Sequence, residues 1–192
     1  MSAYVLFFGG YHATLTDINV WSASAKAQKP DVTFDCYPWP SGAGAGAQSA
    51  IAAFTKAGSY AQAIATVQGC ATDLIYLVGH SSGCAIANAV DRGLKDTSKV
   101  ILVALDGFAP SRAQLARPST QVWAAECGSA VSRNHDKLKK AIGGRLKIYK
   151  ATDCYDPLFA LHFSVVNSAA NDKAVTNIAT GYAQCRANLM WM

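Results

Sequence analysis

The chain has 192 residues, of which 51% are hydrophobic and 15% charged. That length is enough for one domain with a full core, and the composition excludes a disordered segment. The net charge is only +5, and no apolar run approaches the ~20 residues of a membrane helix, so a membrane span is not expected.

Residues 4–8, Tyr-Val-Leu-Phe-Phe, are the first predicted strand. No basic start precedes them and no cleavage site follows a longer apolar core. The segment therefore reads as a buried strand rather than a signal peptide, and the expected setting is cytoplasmic. A Gly9-Gly10-Tyr11-His12 loop leads to a helix over 15–28. The second strand spans 32–36. The low-complexity run Ser-Gly-Ala-Gly-Ala-Gly-Ala at 41–47 is a loop into a helix over 48–68. The third strand, 74–78, runs into Gly79-His80-Ser81-Ser82-Gly83 and a helix over 82–94. The fourth strand is 100–105. The connection from it to Thr120 bears Pro and Ser and is too short for an inserted subdomain or a large lid. A strand over 121–125, a helix over 132–142, a strand over 145–150 and a helix over 164–188 complete the chain. These strands are continuous apolar runs that do not alternate strictly, the pattern of a parallel sheet buried on both faces. Strand and helix alternate throughout. The expectation is an α/β, doubly wound, mainly parallel six-stranded sheet with helices on both faces, as one domain over 1–192.

Six of the seventeen basic residues (Lys137, Lys139, Lys140, Arg145, Lys147, Lys150) fall in one short stretch. A nucleic-acid patch would call for interleaved aromatics on the helix or a known motif. Neither is present, so the stretch reads as a solvated helix face followed by a strand edge, and no nucleic-acid partner is expected. The six cysteines (Cys36, Cys70, Cys84, Cys127, Cys154, Cys185) are even in number, which would permit disulfides in a secreted protein. Their spacing is wide, with no Cys-x-x-Cys pair, so a zinc site is not expected. Thiols are the default for a chain of this size without a leader. Cys36, Cys127 and Cys154 each follow a predicted strand and would lie at one edge of the sheet.

The third strand carries the chemistry. Gly79-His80-Ser81-Ser82-Gly83 is Gly-x-Ser-x-Gly, between a fully apolar strand and a helix rich in Ala85, Ala87 and Ala89. A serine on so sharp a strand-to-helix turn must adopt a strained backbone. The flanking glycines let strand and helix pass close together. The Ser81 hydroxyl then projects clear of the sheet, above the positive end of the helix dipole. The amide of Ser82 points where an oxyanion would form. An ordinary turn with Ser81 as a helix cap is the competing reading. The apolar strand, the following helix and the central place of the motif among six strands favour a nucleophile.

With this elbow, the chain resembles the α/β-hydrolase superfamily along nearly its whole length, as a reduced form lacking the first two strands. Small serine hydrolases, cutinase-like enzymes and thioesterase domains are similar in this economy. The resemblance implies a second oxyanion amide from the loop after the first strand, and Tyr11 occupies that donor position. A nucleotide-binding turn is the other use of Gly9-Gly10. It would call for Gly-x-Gly-x-x-Gly and an acid at the end of the second strand, where the chain instead reads Cys36-Tyr37-Pro38.

Four histidines compete for the role of base. His162, after the sixth strand and before the last helix, stands where the α/β-hydrolase order requires one, and its His-Phe-Ser run is similar to the catalytic turn of thioesterase domains. His80 adjoins Ser81 and should point away from it. His12 is placed to line a pocket, and His135 belongs to the basic helix. The acid has three candidate positions. Asp106, 25 residues after Ser81, ends the strand next to the nucleophile strand and resembles the thioesterase Asp-Gly-aromatic turn. Glu126 ends the fifth strand, where many members carry the acid. Asp153 and Asp156 share a loop with His162. Asp106 ranks first, although a turn-capping carboxylate before Gly107 is also common.

Tyr11, Tyr37, Trp39, Phe108, Tyr155 and Phe159 fall in predicted loops at this edge and suit an apolar acyl or aromatic substrate. The function expected is a serine hydrolase acting on a small acyl ester or thioester, with no cofactor and no metal. A non-catalytic small-molecule-binding domain on the same fold, or a nucleotide-binding doubly wound domain, are the alternatives. The oligomeric state is not encoded in any pattern of the chain.

Overall fold

A computed structural model describes residues 2–11, 13–15, 19, 32–38, 46–105, 121–126, 140 and 146–150. The strands are β1 (Ala3–Phe8), β2 (Val32–Tyr37), β3 (Leu74–His80), β4 (Val100–Leu105), β5 (Gln121–Glu126) and β6 (Leu146–Lys150). The helices are α1 (Ala47–Lys56), α2 (Ser59–Gln68) and α3 (Gly83–Gly93). The strands pair in the order β2-β1-β3-β4-β5-β6. All five pairings are parallel, so all strand C-termini share one edge.

The apolar runs follow from this arrangement. Tyr4, Leu6 and Phe8 of β1, Ile75 and Leu77 of β3, and Val100 and Leu102 of β4 face the helices, packed with Phe54, Val67, Ile86, Val90 and Leu94. The alternate residues Val5, Phe7, Tyr76, Val78, Ile101 and Val103 are buried on the opposite face. A strand buried on both sides has no solvent-facing position to fill with a polar residue. The helices expected over 15–28, 132–142 and 164–188 lie almost wholly outside the described residues, as does the 106–120 connection.

The segment read as one helix over 48–68 is two helices. The periodic pattern runs on through both, with Ala50 and Phe54 buried from α1 and Ala63 and Val67 from α2. Between them Gly58 takes φ +76°, and its N–H donates to the carbonyl of Thr55. This left-handed residue ends α1. Among the described residues, no helix is long and apolar enough to cross a membrane. Cys36, Cys70 and Cys84 are thiols and not disulfide partners; Cys127, Cys154 and Cys185 lie outside the described residues.

Candidate active site

Ser81 follows β3 directly, in the two-residue turn before α3. Its φ is +51°, the only positive value among the described non-glycine residues. Side chains of L-residues crowd the backbone in that region, so such a conformation persists only where its surroundings impose it. Two glycines impose it here. A Cβ on Gly79 would come within 2.5 Å of the N and Cα of Cys84 and of the Gly83 carbonyl oxygen. A Cβ on Gly83 would collide with the carbonyl oxygens of Phe8 and Gly9. Strand β3, helix α3 and the end of β1 therefore approach at backbone distance. The turn is closed by Cys84 N–H donating to Ser81 O and Ala85 N–H donating to Ser82 O, both at 3.1 Å. The buried Cys84 thiol donates to Gly79 O at 3.1 Å, tying the helix back to the strand.

The loop after β1 reaches the same place. Strand β1 pairs with β3 with Phe8 opposite Gly79, so the two C-terminal ends converge. That convergence is what two amides flanking one substrate oxygen require. Gly9 N–H donates to Tyr37 O, and Ala13 N–H donates to Gly10 O, each at 3.0 Å. Tyr11 thus sits inside a tight turn whose first residue lies over the elbow. A Cβ on Gly10 would stand 3.1 Å from the Cβ of Ser81. Ser81, Ser82 and His80 are 7%, 3% and 6% exposed, so the turn is buried.

No protein-family profile matches the chain, and no match is found among curated proteins. Solved structures do match. The ydeN gene product of B. subtilis aligns with a TM-score of 0.50 at 16% identity, covering 78% of this chain and 86% of its own. A Xanthomonas campestris pv. campestris protein assigned to the α/β superfamily of hydrolases aligns with a TM-score of 0.52 at 13% identity, over 97% of this chain and 99% of its own. The chain has an α/β-hydrolase fold. At these identities the likeness is one of architecture, and the residues of the site must be argued from their own geometry.

Within the α/β-hydrolase frame, Ser81, Ser82 and the Gly10–Tyr11 turn are brought together. His162, Asp106, Asp153 and Asp156 lie outside the described residues, as do His12 and His135. Glu126 is the last residue of β5, at the same edge as Ser81 but two strands from β3, about 10 Å across the sheet. Tyr37 is not a pocket loop residue. It ends β2, and its ring stacks on Phe8 at 5.7 Å and meets Phe54 edge-on at 5.4 Å. Burial in that cluster pushes its phenol pKa up, against an opposing hydrogen bond to Thr66. Trp39, Phe108, Tyr155 and Phe159 lie outside the described residues. Among the described residues, no cluster of His, Cys, Asp or Glu could hold a metal ion.

Proposed function

We propose that the protein is a serine hydrolase that cleaves a small carboxylic ester or thioester through an acyl-enzyme on Ser81. The observation that carries this reading is the left-handed Ser81 at the end of β3, with the Gly9–Gly10 loop against it. Strain at a serine is costly for folding and serves chemistry by presenting the hydroxyl. On this reading the protein is one domain over 1–192, with helices expected on both sheet faces and no large lid expected.

In this mechanism His162 takes the proton from Ser81 Oγ as Oγ bonds to the substrate carbonyl carbon. The amides of Tyr11 and Ser82 stabilise the negative charge that develops on the carbonyl oxygen. The tetrahedral intermediate collapses with cleavage of the C–O or C–S bond, and His162 returns the proton to the leaving alcohol or thiol. Water then attacks the acyl-enzyme with His162 again as base. The carboxylic acid departs and Oγ regains its proton. Asp106 holds the imidazole in the productive tautomer. No cofactor enters, and a cytoplasmic setting suits the thiols.

A fluorophosphonate probe tests the reading. It should label the wild-type protein at Ser81 and leave Ser81→Ala unlabelled. The same substitution should lower turnover of short p-nitrophenyl esters by about 10⁶-fold. A folded wild-type protein that neither labels nor hydrolyses would reject the enzyme and leave a binding domain on the same fold.

A further inference from the structure

We propose that His80 is a positioning residue that sets the height of the oxyanion loop above Ser81 through its contact with Gly10. This rests on Ser81 being the nucleophile, and it adds a residue with no part in the proton transfers.

Side chains alternate along β3, so His80 and Ser81 leave the strand in different directions. The His80 imidazole nevertheless reaches the site through the loop after β1. It is 6% exposed, and a Cβ built on Gly10 would lie 2.5 Å from its Nδ1 and 3.2 Å from its Cε1. Nδ1 thus occupies the space that any side chain at position 10 would need. The Gly10 backbone rests on the ring edge with no gap for a methyl group.

Three of the described contacts bear on the loop. Gly9 N–H is held by Tyr37 O on the edge-strand side, and Ala13 N–H closes the turn onto Gly10 O. The His80 ring stands beneath Gly10. The first two fix the loop laterally and internally; neither opposes its descent onto the elbow. At Gly10 the imidazole makes the closest approach, with the Ser81 Cβ beside it. Tyr11, whose amide is the proposed donor, is the next residue. A donor displaced by a fraction of an ångström loses most where charge develops, in the transition state, and little in ground-state binding. A displacement of about 1 Å can cost on the order of 10²-fold in rate.

The experiment compares His80→Ala, His80→Asn, Gly10→Ala and the His80→Ala/Gly10→Ala double variant. The readouts are kcat and KM on one p-nitrophenyl ester and amide hydrogen exchange across residues 9–13. His80→Ala should lower kcat by about 10-fold with KM changed less than about twofold, and should speed exchange at Gly9 and Ala13. His80→Asn places an atom where Nδ1 stands and should restore most of kcat. Gly10→Ala should also lower kcat, because its methyl meets the ring. The double variant should exceed Gly10→Ala alone, since removing the ring makes room for the methyl. Residual crowding against the Ser81 Cβ keeps the recovery partial.

Unchanged kcat and unchanged exchange in His80→Ala would overturn the proposal. So would a double variant whose losses simply add. If His80→Ala folds poorly, the kcat of His80→Asn and the exchange pattern of Gly10→Ala decide the same question. Ser81→Ala in the same assay separates the two readings. Turnover that survives it condemns the nucleophile assignment, and exchange alone then decides whether His80 props the loop.

Discussion

Replacing Ser81 by glycine and by alanine separates the two things that residue does. Both variants lack the hydroxyl, so both should lose ester turnover by about 10⁶-fold. They differ in how well they tolerate φ +51°. An L-residue in the left-handed region costs about 1–2 kcal/mol, whereas glycine enters it without penalty. Against this, alanine has fewer unfolded conformations than glycine, worth about 0.4–1 kcal/mol in its favour. The mid-values leave the glycine variant more stable by about 0.8 kcal/mol. For a chain of this size that is a Tm about 1–4 °C higher than that of Ser81→Ala, within reach of scanning calorimetry. The order should be Gly above Ala, reversing the order expected at an ordinary exposed position. A glycine variant no more stable than the alanine variant would refute the strained-elbow reasoning.

Three further outcomes follow from the same geometry. Gly83 opens α3, where alanine is ordinarily at least as well tolerated as glycine; here the methyl of Gly83→Ala meets the carbonyl oxygens of Phe8 and Gly9, so a net loss of about 2 kcal/mol is expected in urea denaturation, and a gain would contradict the close approach. Asp106→Asn should lower turnover by about 10⁴-fold while Glu126→Gln should not, and the reverse result on one ester substrate would move the acid to β5. Tyr4 donates to Asp35 Oδ2 at 2.7 Å; burial first, then that bond, raises its pKa above the ordinary 10.0. Its contribution is therefore full below pH 10 and declines as alkali ionises the unfolded chain's tyrosine. Tyr4→Phe should cost about 1.5 kcal/mol at neutral pH and show a shallower alkaline decline in denaturation curves; an unchanged alkaline slope would show that Tyr4 does not govern it.

Much of the frame was legible because a parallel strand buried on both sides has to be written as an unbroken apolar run. Tyr4 to Phe8 and Leu74 to Val78 could hardly be anything else. Ser81 was legible for a related reason: a backbone crossing this tight admits only glycine at 79 and 83, which leaves a short pattern in the chain. The break at Gly58 was hidden because α1 and α2 present their buried residues in one continuing rhythm, and a lone glycine in such a rhythm is usually tolerated. Tyr37 was misjudged because a tyrosine directly before Pro38 reads as loop. Its ring is needed between Phe8 and Phe54, a demand set by the tertiary packing of three separate elements. His80 shows the same limit. Its neighbour in sequence is the nucleophile, and its neighbour in space that matters is Gly10, seventy residues earlier.

The strand order also bears on how the protein is made. Strands emerge from the ribosome one at a time, and early segments fold as soon as partners exist. Here β1 is an inner strand, flanked by β2 and β3. Its second edge stays open until β3 has been synthesised, so the nascent chain carries Val5, Leu6 and Phe7 on an unfinished sheet for more than sixty residues. After β3 the growth is one-directional: β4, β5 and β6 each dock on the edge left by the strand before. The β1–β3 crossing that creates the serine turn is therefore assembled before β4, β5 and β6 are added, and those strands lengthen a sheet whose centre is already set.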